Sequence, residues 1–269
     1  MSEVIVAPGI ATPQLGLVLS SEQSIRLERL TEGGPITVFG SSANDTISPV
    51  SSGGTPNLTF SGEAGNDIAF GGAGNDSFSG GIGDDVLVGG DGDDVLIGGD
   101  GADTVSGDAG NDTAQGDLGN DVMDGGAGND TLLGGAGSDT IVGGAGNDVI
   151  SGGAGKDELE GSGGRDTFRF ERRSTGGRPR LRDEITDYNT RQDTIQLDRG
   201  LLPRSGLRAG RLRARDFKAV NTLGAADTAK IIYERSTGLL YYNPIRGANI
   251  ALVQLPQGLN VTAADFEIF

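Results

Sequence analysis

Residues 80–106 read GGIGDDVLV, GGDGDDVLI and GGDGADTVS, three consecutive copies of GGxGxDxUx in which U is apolar. Followed outward in both directions, the register holds from Gly62 to Arg169, twelve units without an insertion. Positions 1 and 4 are Gly and position 6 is Asp in every unit. A globular core needs side chains of irregular size, whereas a stacked repeat uses one backbone turn many times, so this register predicts a solenoid. Positions 1–6 are glycine-rich and polar, and positions 7–9 are β-formers such as Val95-Leu96-Ile97 and Thr140-Ile141-Val142. Each unit is therefore a turn followed by a short strand. Position 8 supplies the expected interior: Ala69, Phe78, Leu87, Leu96, Val105, Ala114, Met123, Leu132, Ile141, Ile150, Leu159 and Phe168.

Composition narrows the chemistry. The 269 residues include 49 glycines and only 5% aromatics, thin material for a conventional core. Residues 1–164 carry 26 Asp and Glu against 3 Lys and Arg, a net of −23, whereas residues 165–269 carry 12 against 18, a net of +6. The acidic part repels nucleic acid and attracts cations. With no Cys and no His, disulfides, zinc and iron–sulfur sites, Ser-His-Asp triads and histidine acid–base catalysis are all excluded. Oxygen ligation of a hard cation stays open. Met-Ser-Glu-Val lacks a basic n-region, and Pro8 and Pro13 interrupt the mildly apolar Val4–Leu19, so no secretory leader and no transmembrane segment are expected. Competing motifs fail on detail. A dinucleotide GxGxxG needs Gly at position 7, a P-loop needs Ser or Thr where Asp157 follows Lys156, and an EF-hand reading of Asp91 and Asp93 meets Leu96 where its glycine belongs.

The nonapeptide block resembles the calcium-binding repeats of the RTX (repeats-in-toxin, hemolysin-type) family. The likeness extends into the C-terminal flank through DTFRF (166–170), ITDY (185–188), QDTIQL (192–197), IIYERSTGLLYY (231–242) and ADFEIF (264–269). It implies an all-β fold, a right-handed parallel β-roll with two nonapeptides per coil, capped by a small C-terminal β-rich domain. Two units per coil would set the position-6 aspartates in two rows. Asp67, Asp85, Asp103, Asp121, Asp139 and Asp157 form one, and Asp76, Asp94, Asp112, Asp130, Asp148 and Asp166 the other. Coils stack about 4.8 Å apart. Carboxylates at that spacing repel by about 3–4 kcal/mol at an effective dielectric of about 20. A divalent cation between successive turns reverses the sign, bound by two carboxylates and by carbonyl oxygens that the glycine turns leave free. Calcium suits such irregular oxygen sites, whereas Mg²⁺ demands a tight octahedron. Five gaps in each row allow at most ten ions, and binding and folding become one event.

The chain divides by pattern into an N-terminal cap or lead-in (1–39), degenerate repeats (40–61), the calcium-binding roll (62–169) and a C-terminal β-rich cap (170–269). Gly40–Ser48 keeps Asn44, Asp45 and Ile47 in place, while Gly53–Ser61 has Leu58 where Asp is needed; both read as worn units that bind no ion. In the cap, Asp193–Leu197 reads as a strand, Lys230–Glu234 and Leu239–Asn243 as a hairpin, and Ile250–Leu255 as the next strand. Asp84 and Asp93 at position 5 read as solvated charges. Arg178, Arg180 and Arg182, and likewise Arg211, Arg213 and Arg215, would share one face if they lie on strands.

The resemblance implies calcium ions as ligand and, transiently, a type I ABC exporter reading the uncleaved ending Asp265-Phe266-Glu267-Ile268-Phe269. The resulting expectation is a secreted, non-enzymatic protein that folds on meeting extracellular calcium and acts structurally or adhesively at the cell surface. The arginines read first as solvated faces that balance the acidic roll, with contact to an anionic polysaccharide or the cell surface as the alternative, and no nucleic acid is expected. The alternatives are a membrane-active protein, an ice- or surface-binding array, or the C-terminal module of a calcium-dependent extracellular enzyme. The array reading lacks a threonine rank, because position 3 is mostly Ala. The enzyme reading lacks a catalytic constellation.

Overall fold

The structure is a computed structural model that describes residues 2–6, 15–18, 23–27, 35–49, 57–171, 183–202, 207–221, 229–242 and 250–269. Among these, strands alternate between two long sheets, of fourteen and twelve strands. Each unit places its strand in one sheet and the next unit in the other. Ladder partners therefore lie two units apart, as in Leu87↔Val105 and Leu96↔Ala114, and every pairing within the repeat block is parallel. This is the expected β-roll, with two nonapeptides to a coil.

Strands such as Val95–Asp100 run over positions 7, 8, 9, 1, 2 and 3, so side chains alternate between interior and solvent. Position 8 points inward in all twelve units, and each of those residues is buried. The interior column continues at both ends: Ile47 stacks on Ala69, and Phe60 on Phe78 with edge-to-face rings 6.3 Å apart, while Ile185 stacks on Leu159 and Ile195 on Phe168. Backbone pairing carries both ladders outward to the strands Ser2–Val6 and Leu15–Val18.

At the other end each sheet closes differently. Thr194–Leu197 extends one sheet in parallel, and Phe266–Ile268 pairs beside it. Asp183–Ile185 extends the other, followed by Ile250–Gln254 and the antiparallel pair Leu239–Tyr242 and Ile231–Glu234. The expected hairpin and final strand are thus present. The Tyr188 hydroxyl lies 3.2 Å from the Asp193 carbonyl and 3.3 Å from that of Asp265, tying the two closing segments together. The Arg169 guanidinium covers the ring of Phe269, 4.4 Å from its centroid.

The arginine reading needs correction. Gly210–Arg211 is a two-residue strand and Ala214–Asp216 a 3-10 turn, so Arg211, Arg213 and Arg215 do not share one strand face. Arg213 and Arg215 turn to buried Asp216, at 3.6 and 3.9 Å, which Lys230 meets at 3.1 Å. One buried carboxylate outweighs strand alternation there. Arg178, Arg180, Arg182 and Gly53–Gly54 lie outside the described residues. No helix among the described residues is long and apolar enough to cross a membrane.

Candidate metal centre

Every one of the twelve position-6 aspartates is buried, none more than 2% exposed. Their placement follows from the turn. Position 6 is the last residue before the strand, so its side chain enters the space between coils. There Oδ1 accepts the backbone N–H of the aspartate one coil earlier: Asp85 N–H to Asp103 at 2.8 Å, Asp103 to Asp121 at 2.9 Å, Asp94 to Asp112 at 2.8 Å and Asp112 to Asp130 at 2.8 Å. The two expected rows exist as two continuous chains of hydrogen bonds, one along each edge of the roll. Leu58 keeps the backbone half of the pattern, donating to Asp76 at 2.6 Å without contributing a carboxylate.

The other oxygen differs. In ten aspartates, Asp67, Asp76, Asp85, Asp94, Asp103, Asp112, Asp121, Asp130, Asp139 and Asp148, Oδ2 is buried and has no hydrogen-bond partner. A buried acceptor left unpaired costs about 1–3 kcal/mol, and a charged one more. Burial pushes Asp67 and Asp103 up to about 7, and Asp76, Asp94, Asp112, Asp139 and Asp166 up to about 6. It also raises Asp85, Asp121, Asp130 and Asp148. In each case a backbone hydrogen bond pulls the other way and is outweighed.

Glycine shapes the notch that these oxygens face. A Cβ on Gly125 would lie 2.5 Å from the Gly143 carbonyl oxygen and 2.6 Å from Asp130 Oδ2; on Gly143 it would lie 2.6 Å from Asp148 Oδ2 and 2.9 Å from the Gly161 oxygen. The position-1 glycines therefore leave a space on which a carboxylate oxygen and a carbonyl oxygen of the next coil converge, with no proton donor between them. A hard divalent cation fits that donor set. Among the described residues no three Asp or Glu side chains gather as a metal-binding group. The arrangement instead pairs carboxylates with backbone oxygens, repeated along each edge.

Sequence reasoning missed Asp183 and Asp193 as members of these rows and read a third, Asp45, as in place within a worn repeat. Asp183 accepts the Asp157 N–H at 3.2 Å, Asp193 that of Asp166 at 3.1 Å, and Asp45 donates its own N–H to Asp67 at 2.7 Å. The signal was available: Asp45-Thr46-Ile47, Asp183-Glu184-Ile185 and Asp193-Thr194-Ile195 repeat the Asp-x-apolar core of the motif. The longer separations from Asp157 to Asp183 and from Asp166 to Asp193 hid the C-terminal two. A second ladder was also missed. Position-5 side chains accept position-5 N–H groups from the next coil: Asp84 from Ala102 at 2.9 Å, Asp93 from Asn111 at 2.7 Å and Asn129 from Asn147 at 2.9 Å. Asp84 and Asp93 are thus exposed ladder members rather than free solvated charges, and hydrogen bonds from Asn111 hold Asp93 below its ordinary value.

The family model of the RTX calcium-binding nonapeptide repeat matches four times, at residues 61–96, 79–114, 97–132 and 133–168. No curated protein matches the chain. Among solved structures, the chain is similar to the AlgE6R3 subunit of the Azotobacter vinelandii mannuronan C5-epimerase, solved in solution. The two are 26% identical with a TM-score of 0.36, and the match covers 56% of this chain and 79% of that one.

Proposed function

Since residues 61–168 are RTX calcium-binding nonapeptide repeats, we propose that this chain is a secreted, non-enzymatic protein whose roll folds when its aspartate rows take up extracellular calcium. The ligands are Asp67, Asp76, Asp85, Asp94, Asp103, Asp112, Asp121, Asp130, Asp139, Asp148, Asp157 and Asp166, and at most ten ions fit between the turns. The observation that carries this reading is the set of ten buried, unpartnered Oδ2 atoms, eight of which share their glycine notch with a carbonyl oxygen of the next coil. Calcium would supply positive charge to both at once. Each of those ten holds its neighbouring coil through Oδ1 and leaves Oδ2 for the cation, and the glycines keep the notch open. Without the cation, stacking the coils brings buried like charges together.

The same coupling supports export as an unfolded chain. At submicromolar cytosolic calcium the rows stay empty and the chain threadable, and millimolar calcium outside folds it. The ending Asp265–Phe269 supports a type I ABC exporter as the route, and residues 165–269, net +6, support an anionic polysaccharide or the cell surface as partner. A structural or adhesive role follows.

Far-UV circular dichroism during a calcium titration tests the folding claim, with a cooperative gain of β-structure expected. Full β-structure in excess chelator would refute it. Deleting residues 260–269 tests the route: the truncated protein should remain in the cytoplasm, and undiminished secretion removes the signal.

A further inference from the structure

Each row has one end that differs from its middle, Asp45 for one and Asp193 for the other. At Asp45 the oxygen that is bare in the ten central aspartates is filled from within the chain: Oδ2 accepts the Ser41 N–H at 2.8 Å and the Ser41 hydroxyl at 3.1 Å. At Asp193, Oδ2 accepts the Asn189 N–H at 2.7 Å while Oδ1 takes the ladder bond from Asp166. Both carboxylates are buried, and both keep their ladder contact with the adjoining row member. In each the donor lies four residues before the aspartate, where the complete repeats have position 2. There a Gly or another residue at positive φ turns away, with φ of +119° at Gly99 and +97° at Gly126.

We infer that Asp45 and Asp193 close their coils without an ion. Ser41 and Asn189 supply the positive hydrogens that calcium supplies in between, so the end coils hold their shape in calcium-free conditions and frame a calcium-dependent middle. The inference rests on the reading that calcium occupies the central rows. The physical basis is that a carboxylate oxygen accepting one or two N–H or O–H bonds is satisfied, whereas a bare one in the same place needs a cation. The C-terminal coil has further calcium-free support in its apolar contacts, since Ile195, Leu197, Phe266 and Ile268 are buried together.

Hydrogen–deuterium exchange of the full chain in calcium-free buffer tests this. Amides of 194–197 and 266–268 should exchange on the order of 100-fold more slowly than those of 86–150, and 36–47 should show the same contrast. End coils that exchange as fast as the middle overturn the inference and leave the calcium reading standing. Protection of the entire chain overturns the calcium reading, and the inference with it. Counting bound ions by native mass spectrometry gives a second readout. Asp45→Asn and Asp193→Asn should bind as many calcium ions as the parent, whereas Asp112→Asn should bind up to two fewer. Loss of an ion from either end variant shows that its carboxylate is a ligand and overturns the inference.

Discussion

Replacing Gly125 with Ala separates the role of the notch from that of the backbone. Gly125 does not have positive φ, so its own dihedral angle is open to alanine. The new methyl, however, would begin 2.6 Å from Asp130 Oδ2 and 2.5 Å from the Gly143 oxygen, well inside carbon–oxygen contact. Asp130 and the Gly143 carbonyl must both give way, and on the proposed reading the Asp130 carboxylate serves two gaps, toward Asp112 and toward Asp148. With a Kd of about 1 mM, one site contributes RT ln 2, about 0.4 kcal/mol, at about 1 mM calcium and RT ln 11, about 1.4 kcal/mol, at about 10 mM. Two lost sites therefore cost about 1 kcal/mol at the lower concentration and about 3 kcal/mol at the higher. Urea unfolding followed by circular dichroism at several calcium concentrations measures that widening difference. Gly128→Ala is the control. Its φ is +147° and its Cβ would meet the Gly110 carbonyl carbon at 2.5 Å, so it strains the backbone at any calcium concentration. A Gly125→Ala deficit that stays constant as calcium rises would refute the assignment of that notch to an ion.

Three further outcomes follow from the same geometry. Leu132→Ala, in the fully buried column, should lose about 2–5 kcal/mol of stability in thermal or urea unfolding while binding the same number of ions; a lower ion count would contradict the separation of core from site. Asp117 sits at φ 74° where most units have glycine, and Asp117→Gly should raise stability by about 1 kcal/mol, less the contact that Gln115 makes with its carboxylate. An unchanged or lower urea midpoint would count against that strain. Asp67 and Asp103, pushed up to about 7, and Asp76, Asp94, Asp112, Asp139 and Asp166, pushed up to about 6, lie above their unfolded value of about 3.9, so the folded chain holds more protons than the unfolded one. Their stabilising contribution in calcium-free buffer is then full below about pH 4 and is lost as pH rises through 6 to 7. The calcium-free chain should show more β-structure at pH 4.5 than at pH 8, while calcium affinity falls on acidification. Circular dichroism and calcium titrations across that range check both, and more order at pH 8 without calcium would overturn the sign.

Much of the roll was legible because a nine-residue register imposes the same turn twelve times. Position 8 has no freedom but to point inward, and position 6 none but to face the next coil. The position-5 ladder escaped because Asn and Asp at an exposed turn read as solubility in isolation. Only stacking places Asn111 N–H against Asp93. Asp183 and Asp193 escaped because the intervening segments break the period, although parallel pairing sets them on the same rows.

By itself the sequence determined the repeat length, the inward column and the acidic edges, since these are local consequences of side-chain alternation and glycine turns. What only the tertiary structure decided is which oxygens remain unsatisfied. That depends on donors one coil away, two units or more along the chain, or on a turn such as Asn189–Asp193 that no motif announces. Asp112 and Asp193 are the same residue type beside the same kind of strand. The Oδ2 of one is bare and that of the other has a proton donor, because folding brought Asn189 to the second and no donor to the first.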